Sequence, residues 1–483
     1  MSKASANPLT AINHIVVLML ENRSFDHMLG YLYADSGNVS PTGQPFEGLT
    51  GKETNPGASG GAAVTVFPIQ PGTTATYFMP GADPGEGYTA TNLQLFGTST
   101  PPTPPVATNA GFVTNFAAAL TREAAQKWPI VPGTTASDIM GMHTPQTLPV
   151  LSALARGYAV CDHWFGSAPT ETLPNRAFVQ AGTSLGHMDD STKTFAAPSI
   201  YASLSKLGVS WMICGYNADP LTRMSFPDLT SAPDTHFGKF ADFQTAAANG
   251  TLAAYTFLEP SWGSSGNSQH PNYDVALGEQ LIHDVYYALR HGPAWAQTLL
   301  IVTYDEHGGC YDHVPPPTTA VPPDASAGQN GFDFKRFGPR VPTVLISPLI
   351  PADTVLRVPG GSMPFDHTSI LRTIEKRWNA APLTARDAAA PDVAAALSLA
   401  SPRTDDPLAG VTVPTSKGTN PAAGTPSHLQ QVYAELVSQL PVSDAKDSAP
   451  AALPMLGTEA DYDRYIEQRL AQWKAWKGGR AST

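Results

Sequence analysis

Two apolar runs that end in acids constrain this chain more than any other feature. His14-Ile-Val-Val-Leu-Met-Leu20 leads into Glu21-Asn22, and Thr298-Leu-Leu-Ile-Val-Thr-Tyr304 leads into Asp305-Glu306-His307-Gly308. Continuous apolar runs of this length read as strands buried on both faces, as in a parallel sheet covered by helices. Acids at the ends of such strands are costly unless a cation offsets them. A divalent metal is the simplest such cation, because hard ions take carboxylate oxygens. Two strands, each delivering an acid and a second polar residue, predict one oxygen-rich site built from distant parts of the chain.

The remaining pattern extends the sheet. Strands are predicted at 158–162, 209–214, 253–258 and 341–347, and helices at 24–33, 144–156, 176–181, 273–290 and 366–378. Strands separated by helices argue an α/β fold with a mostly parallel central sheet and helices on both faces. Sites in such sheets lie outside the carboxyl ends of the strands, where Glu21, Asn22, Asp305 and Glu306 fall. Residues 34–135 are rich in Pro, Gly, Thr and Ala and read as an irregular insertion that shapes the active-site pocket. The expected division is a catalytic domain at 12–400 and an extension at 401–483 that packs on it, with surface helices at 430–440 and 459–476.

Bulk properties exclude some functions. A formal net charge of −12 argues against nucleic acid or anionic membrane as a general partner. No apolar run approaches the roughly 18 residues of a membrane span. No signal peptide is visible as numbered, which suits a cytoplasmic protein or a mature exported form and leaves the compartment unknown. Cys161, Cys214 and Cys310 cannot make a disulfide framework. Cys161 and Cys214, in apolar strand-like runs, read as buried free thiols.

Glu21, Asn22, Asp305 and Glu306 form an oxygen-only set that favours Ca²⁺ or Mg²⁺, with Mn²⁺, Zn²⁺ or Fe as alternatives. Gly308 and Gly309 allow a tight turn after the second pair. Ala168-Pro-Thr-Glu-Thr-Leu-Pro-Asn-Arg176 follows a strand and precedes a helix, a good place for a nucleophilic hydroxyl. Thr170 and Thr172 both qualify on position, with helix N–H groups expected nearby to hold an oxyanion. His270 precedes the helix that leads into the acidic strand. His367 follows Asp366 at a helix start, within reach of the site edge. His428 is read as structural or exposed.

Glu21-Asn-Arg-Ser-Phe-Asp-His27, Thr172-Leu-Pro-Asn-Arg176, Thr303-Tyr-Asp-Glu-His-Gly-Gly-Cys-Tyr-Asp-His313 and Phe365-Asp-His-Thr-Ser-Ile370 together resemble the phosphoesterase family, over about residues 12–380. That family includes bacterial and plant non-specific phospholipases C and a respiratory-burst-inhibiting acid phosphatase. The resemblance implies an alkaline-phosphatase-like fold and a covalent phospho-enzyme. It implies Glu21, Asn22, Asp305 and Glu306 as metal ligands and Thr172, rather than Thr170, as nucleophile. His270 matches an active-site histidine that contacts phosphate or protonates the leaving oxygen, and His236 a second of that kind. His307 and His313 are left orienting the turn, and Asn175, Glu86 and His367 are placed in the substrate or phosphate pocket.

One departure stands out. The family's Asp-Pro-x-His segment here reads Asp83-Pro-Gly-Glu86. A carboxylate in that place disfavours a doubly charged monoester, suits a singly charged diester, or binds metal. The favoured function is a metal-dependent phospholipase C-type hydrolase of phosphate esters, with phospholipid as a candidate substrate. An acid phosphatase is the alternative, and a catalytically silent metal-binding protein the third reading.

Overall fold

The computed structural model describes residues 7–443 and 453–481. At its centre is an eight-stranded sheet. Its strands are β1 (His14–Leu20), β2 (Ala159–Val160), β3 (Trp211–Gly215), β4 (Phe237–Lys239), β5 (Tyr255–Leu258), β6 (Thr298–Tyr304), β7 (Thr343–Ile346) and β8 (Thr354–Val355). The spatial order is β8-β2-β7-β6-β1-β5-β3-β4. Every pairing is parallel except the two made by β7.

All of Ile15–Leu20 and all of β6 are buried, which requires cover on both faces of the sheet. The longer helices are α1 (Tyr88–Phe96), α2 (Phe112–Gln126), α3 (Pro149–Gly157), α4 (Thr172–Ala181), α5 (Phe240–Asn249), α6 (Val275–Arg290), α7 (Thr368–Trp378), α8 (His428–Ser438) and α9 (Glu459–Ala481). Helix α6 packs on α3 and α5, while α7 packs on α4, giving two groups of helices. None of the described helices is long and apolar enough to cross a membrane. All three cysteines are free and buried.

Residues 34–135 are more ordered than their composition suggests. They carry α1 and α2, and Phe112, Val113, Phe116 and Ala119 of α2 join Leu49, Val66, Ile139 and Met142 in an apolar cluster separate from the main core. The spacing of those four residues is helical. The Pro and Thr runs on either side of α2 obscure it in the sequence.

The extension joins the main core directly. Tyr462, Ile466, Leu470 and Trp473 recur every three or four residues on α9 and are buried in the same cluster as β1 and β6. Each such side chain contributes about 1.5–3 kcal/mol on burial. Helix α8 packs against α9 and against the short helix Leu221–Ser225. That packing brings the start of α8 to the mouth of the site.

Candidate active site

The two acidic tips leave the sheet side by side. Leu20 lies opposite Tyr304 in the parallel register, and the Asp305 N–H donates to the Leu20 carbonyl at 3.3 Å. Asn22 adopts a left-handed backbone, φ 52°, which Asn tolerates better than most residues. Its N–H donates to Asp305 Oδ1 at 3.0 Å, so the two tips are tied together. Arg176, from α4, donates through Nε to Asp305 Oδ2 at 2.9 Å and through Nη2 to the Leu20 carbonyl at 3.1 Å. Trp262 covers the guanidinium face at 4.7 Å. Gly308 and Gly309 both have positive φ, and a Cβ on Gly308 would sit 2.0 Å from the Asn22 carbonyl oxygen. Only glycine fits this return past the first tip.

Glu306 is oriented by the Gly308 N–H at 2.8 Å and by His307 Nδ1 at 3.0 Å. His307 Nε2 reaches Gln94 Oε1 of α1 at 2.7 Å, so the insertion also supports the second tip. Burial and Asp305 push the Glu21 carboxyl up to about 8, and burial with Asp305 also raises Glu306 well above the usual range. Glu21 Oε2 and Glu306 Oε1 are buried without hydrogen-bond partners. Orphaned carboxylate oxygens at a site of this kind fit a hard divalent cation. The carboxylates of Glu21, Asp305 and Glu306 do not draw three oxygens within 4.8 Å of one another.

Thr172 opens α4 and meets this assembly. Its hydroxyl donates to Asn22 Oδ1 at 3.2 Å. The loop before it is held by Asn175, whose side chain bonds the Ala168 N–H and the carbonyls of Ala168, Thr170 and Glu171. Asn175 thus shapes the nucleophile loop, and these bonds leave it no free donor for the expected phosphate contact. The Thr170 hydroxyl is bonded to the Met188 carbonyl. Of the expected helix N–H groups, Leu173 N is taken by Asp190 at 2.8 Å and Pro174 has none. What remains for an oxyanion at this helix start is the Thr172 N–H.

A third group faces the same space. Glu86 Oε2 accepts from Asn22 Nδ2 at 2.7 Å and lies 3.9 Å from His270 Nε2. His270 Nδ1 is 3.0 Å from the Pro271 carbonyl, so Nδ1 carries the proton and Nε2 presents a lone pair. Burial lowers the ring to about 4 and keeps it neutral. Burial and the carboxylates of Glu306, Asp83, Glu171 and Asp190 raise Glu86 well above its usual range. Beyond Glu86 opens a cleft of about 340 Å³ lined by Asp83, Glu86, Glu123, Trp128, Glu171 and His428 among others.

His428 was not expected at a site, since nothing local in its sequence distinguishes it. It is the first residue of α8, with Nε2 3.1 Å from Asp190 Oδ2, and Asp190 caps α4. Asp190 and Glu171 push its pKa up to about 9 against the opposing effect of burial.

Two expected residues lie elsewhere. His367 is fully buried beneath the second tip, with Nε2 2.5 Å from the Asp305 carbonyl and Nδ1 3.5 Å from Trp164 Nε1. It supports the strand end instead of lining the pocket. His236 stands at the amino-terminal end of β3, stacked on Trp211 at 3.8 Å, with Nδ1 3.0 Å from the Trp211 carbonyl. Parallel strands put that end of the sheet opposite Thr172, so His236 is not brought to the site.

The protein is thus a mostly parallel α/β protein that gathers a hydroxyl, a carboxylate pair and an acid-lined cleft at the carboxyl edge of its sheet. The Phosphoesterase family profile matches residues 12–381, and the chain belongs to that family. It is a hydrolase acting on phosphate ester bonds. The chain is 36% identical over 428 residues to non-specific phospholipase C6 of Arabidopsis thaliana, covering 85% of this chain and 77% of that protein. It is 33% identical over 503 residues to non-specific phospholipase C3 of the same plant, covering 97% and 90%. With phospholipase C A of Mycobacterium tuberculosis (strain ATCC 25618 / H37Rv) it shares 31% over 450 residues, covering 82% and 78%. Among solved structures, the phosphonate monoester hydrolase of Agrobacterium radiobacter matches with a TM-score of 0.32 at 13% identity, covering 52% of this chain and 72% of that one. An alkaline phosphatase superfamily protein from Vibrio parahaemolyticus matches with a TM-score of 0.31 at 14% identity, covering 51% and 63%.

Proposed function

We propose that this protein hydrolyses phosphodiesters in the manner of a phospholipase C, with Thr172 as nucleophile. The observation that carries this reading is the Thr172 hydroxyl held at the start of α4 and bonded to Asn22 between the two acidic strand tips. Thr172 Oγ1 attacks phosphorus in line with the leaving oxygen. A phospho-threonine diester forms as the bond from phosphorus to the leaving oxygen breaks, and that oxygen departs as the alcohol with the proton that the Thr172 hydroxyl gives up; for a phospholipid the alcohol is the diacylglycerol. Water then attacks the phospho-threonine, releases the phosphorylated headgroup and restores the hydroxyl.

Asn22 Oδ1 aims the attacking oxygen, and Arg176 keeps Asp305 in place under it. The Thr172 N–H faces charge that develops on a phosphoryl oxygen. A divalent cation held by Glu21, Asn22, Asp305 and Glu306 would supply positive charge for the ionised hydroxyl and for the phosphoryl oxygens. His270, expected as the leaving-group acid, offers a lone pair here and not a proton.

The cleft favours a diester over a monoester. Asp83, Glu86, Glu123 and Glu171 outnumber Arg122 and the His428 imidazolium along the approach, and this excess of acids disfavours a doubly charged phosphate more than a singly charged one, the more so as rising pH ionises Glu86 and Glu171. The acid phosphatase reading is therefore second. The test is turnover of p-nitrophenylphosphorylcholine against p-nitrophenyl phosphate, with and without chelator, and mass analysis of acid-quenched enzyme. Faster diester turnover and a modified peptide containing Thr172 are expected. Faster monoester turnover would sink the diester assignment, and a modification at another residue would sink the nucleophile.

A further inference from the structure

Asp83, Glu86 and His270 bring one ligand atom each within 4.8 Å of one another at the inner end of the cleft. Among the described residues, no cationic side chain hydrogen-bonds either carboxylate of the group. The Asp83 carboxylate accepts no hydrogen bond from a described residue, and its Oδ1 is buried without a partner. Glu86 receives one hydrogen bond, from Asn22. The nearby arginines are committed elsewhere. Arg23 donates to the carbonyls of Gln269, Met79 and His270, Arg122 pairs with Glu123 and reaches only the backbone carbonyl of Asp83, and the His428 imidazolium is bonded to Asp190.

His270 supplies the second observation. Its side chain is nine-tenths buried, and Nε2 points at Glu86 from 3.9 Å with no hydrogen-bond partner of its own. A protonated imidazole would close that gap to about 2.7–2.9 Å. A lone pair and a carboxylate that face each other across a wider gap match the two sides of a metal site. The tie from His270 Nδ1 to a backbone carbonyl is the support that metal-ligating histidines commonly have.

We infer that Asp83, Glu86 and His270 form a second divalent-cation site, joined to the strand-tip site through Asn22. Two carboxylates and one imidazole select a transition-metal dication such as Zn²⁺ or Mn²⁺ over Ca²⁺. Three protein ligands leave open positions, the arrangement of catalytic and not of structural zinc. An ion there would lie beside Asn22, the residue that also bonds the Thr172 hydroxyl. Only what the ion does for catalysis rests on the phosphodiesterase reading; where it binds does not.

The test uses the full chain, stripped with chelator, reloaded with Zn²⁺, desalted and measured for zinc per chain by elemental analysis. Cobalt(II) absorption follows the nitrogen ligand. Asp83→Asn and Glu86→Gln are each expected to lower the zinc count by one with the circular dichroism spectrum unchanged, and His270→Gln to lose the cobalt band. Asp305→Asn is expected to leave that band in place. An unchanged zinc count in both Asp83→Asn and Glu86→Gln would overturn the site. Diester turnover in parallel separates the two ideas. Turnover with no zinc loss in those variants removes this site and leaves the enzyme reading. Zinc loss in the variants, with a wild type inactive on both esters, removes the phosphodiesterase reading and leaves the site.

Discussion

Two clusters of two acids and one histidine each bring their ligand atoms within 4.8 Å of one another, and the protein treats them differently. Asp26, Asp312 and His313 enclose Arg340, which donates to Asp26 Oδ1 at 2.7 Å and to Asp312 Oδ1 at 2.9 Å. His313 closes the set at 2.7 Å from Asp26 Oδ2, and that carboxylate raises its pKa. In the cluster of Asp83, Glu86 and His270 no arginine bonds a carboxylate, and the two carboxylates accept one hydrogen bond between them, from Asn22. The contrast shows that residue types and spacing do not make a metal site. What matters is whether the polypeptide supplies its own cation. Where it does, the cluster is a structural clamp; where it does not, the charge is left for something that binds.

The strand-tip site gives the largest expected effect. Thr172→Ala should lower turnover by at least about 10⁴-fold, as loss of a nucleophile does. Thr170→Ala, which removes a buried hydrogen bond, should change stability by about 1 kcal/mol and keep most activity. Equal loss in both, measured by steady-state kinetics, would mean the loop and not the hydroxyl matters.

The contrast between the clusters is read most directly in stability. Arg340→Met leaves Asp26 and Asp312 buried without their cation and should cost about 3–5 kcal/mol in urea unfolding. Asp83→Asn should stay within about 0.5 kcal/mol of wild type. A comparable loss for Asp83→Asn would erase the distinction. Next in size, Arg176→Gln frees Asp305 and should weaken cation binding by about 10–100-fold in a calorimetric titration.

Smaller effects come from titration. The Glu21 carboxyl is raised in the fold to about 8. Between its unfolded pKa and that value the native state binds the extra proton, so stability of the metal-stripped chain should fall as pH rises through this window. Added divalent cation should remove the fall, because it takes the place of the proton. A thermal melt series from pH 5 to 8 that is flat without metal would contradict this. The smallest effect is at His428, raised to about 9 by Asp190 and Glu171. Its pair with Asp190 stabilises the start of α4 below its unfolded pKa and is lost as pH rises through about 9. His428→Gln, which lacks the charge at every pH, should therefore show already at neutrality the lower activity that wild type reaches above about 9, with no further alkaline step.

Strand tips were readable because a buried parallel strand must be apolar along its whole length, so an acid after it is conspicuous. The turn at Gly308-Gly309 was readable for a similar reason, since glycine marks positive φ. Three other features were not. Helix α2 was hidden by the Pro-rich segments beside it. His236 and His367 matched or neighboured motif residues, yet a motif does not say which end of a strand a side chain occupies. His428 carries no local mark, and its role depends on α8 docking more than 150 residues away from Asp83, Glu171 and Asp190 along the chain.

By itself the sequence determined the central sheet and its acidic carboxyl edge, and it narrowed the candidate nucleophile to Thr170 or Thr172, between which only the family resemblance chose. Those depend on local rules: burial period, charge at strand ends, and turn residues. Only the tertiary structure decided which acids are neutralised from within. Arg340 and Arg176 each reach carboxylates more than 25 residues away, and Asp83, Glu86 and His270 meet with no such arginine. Charge balance is a property of distances in space, and sequence spacing does not set them.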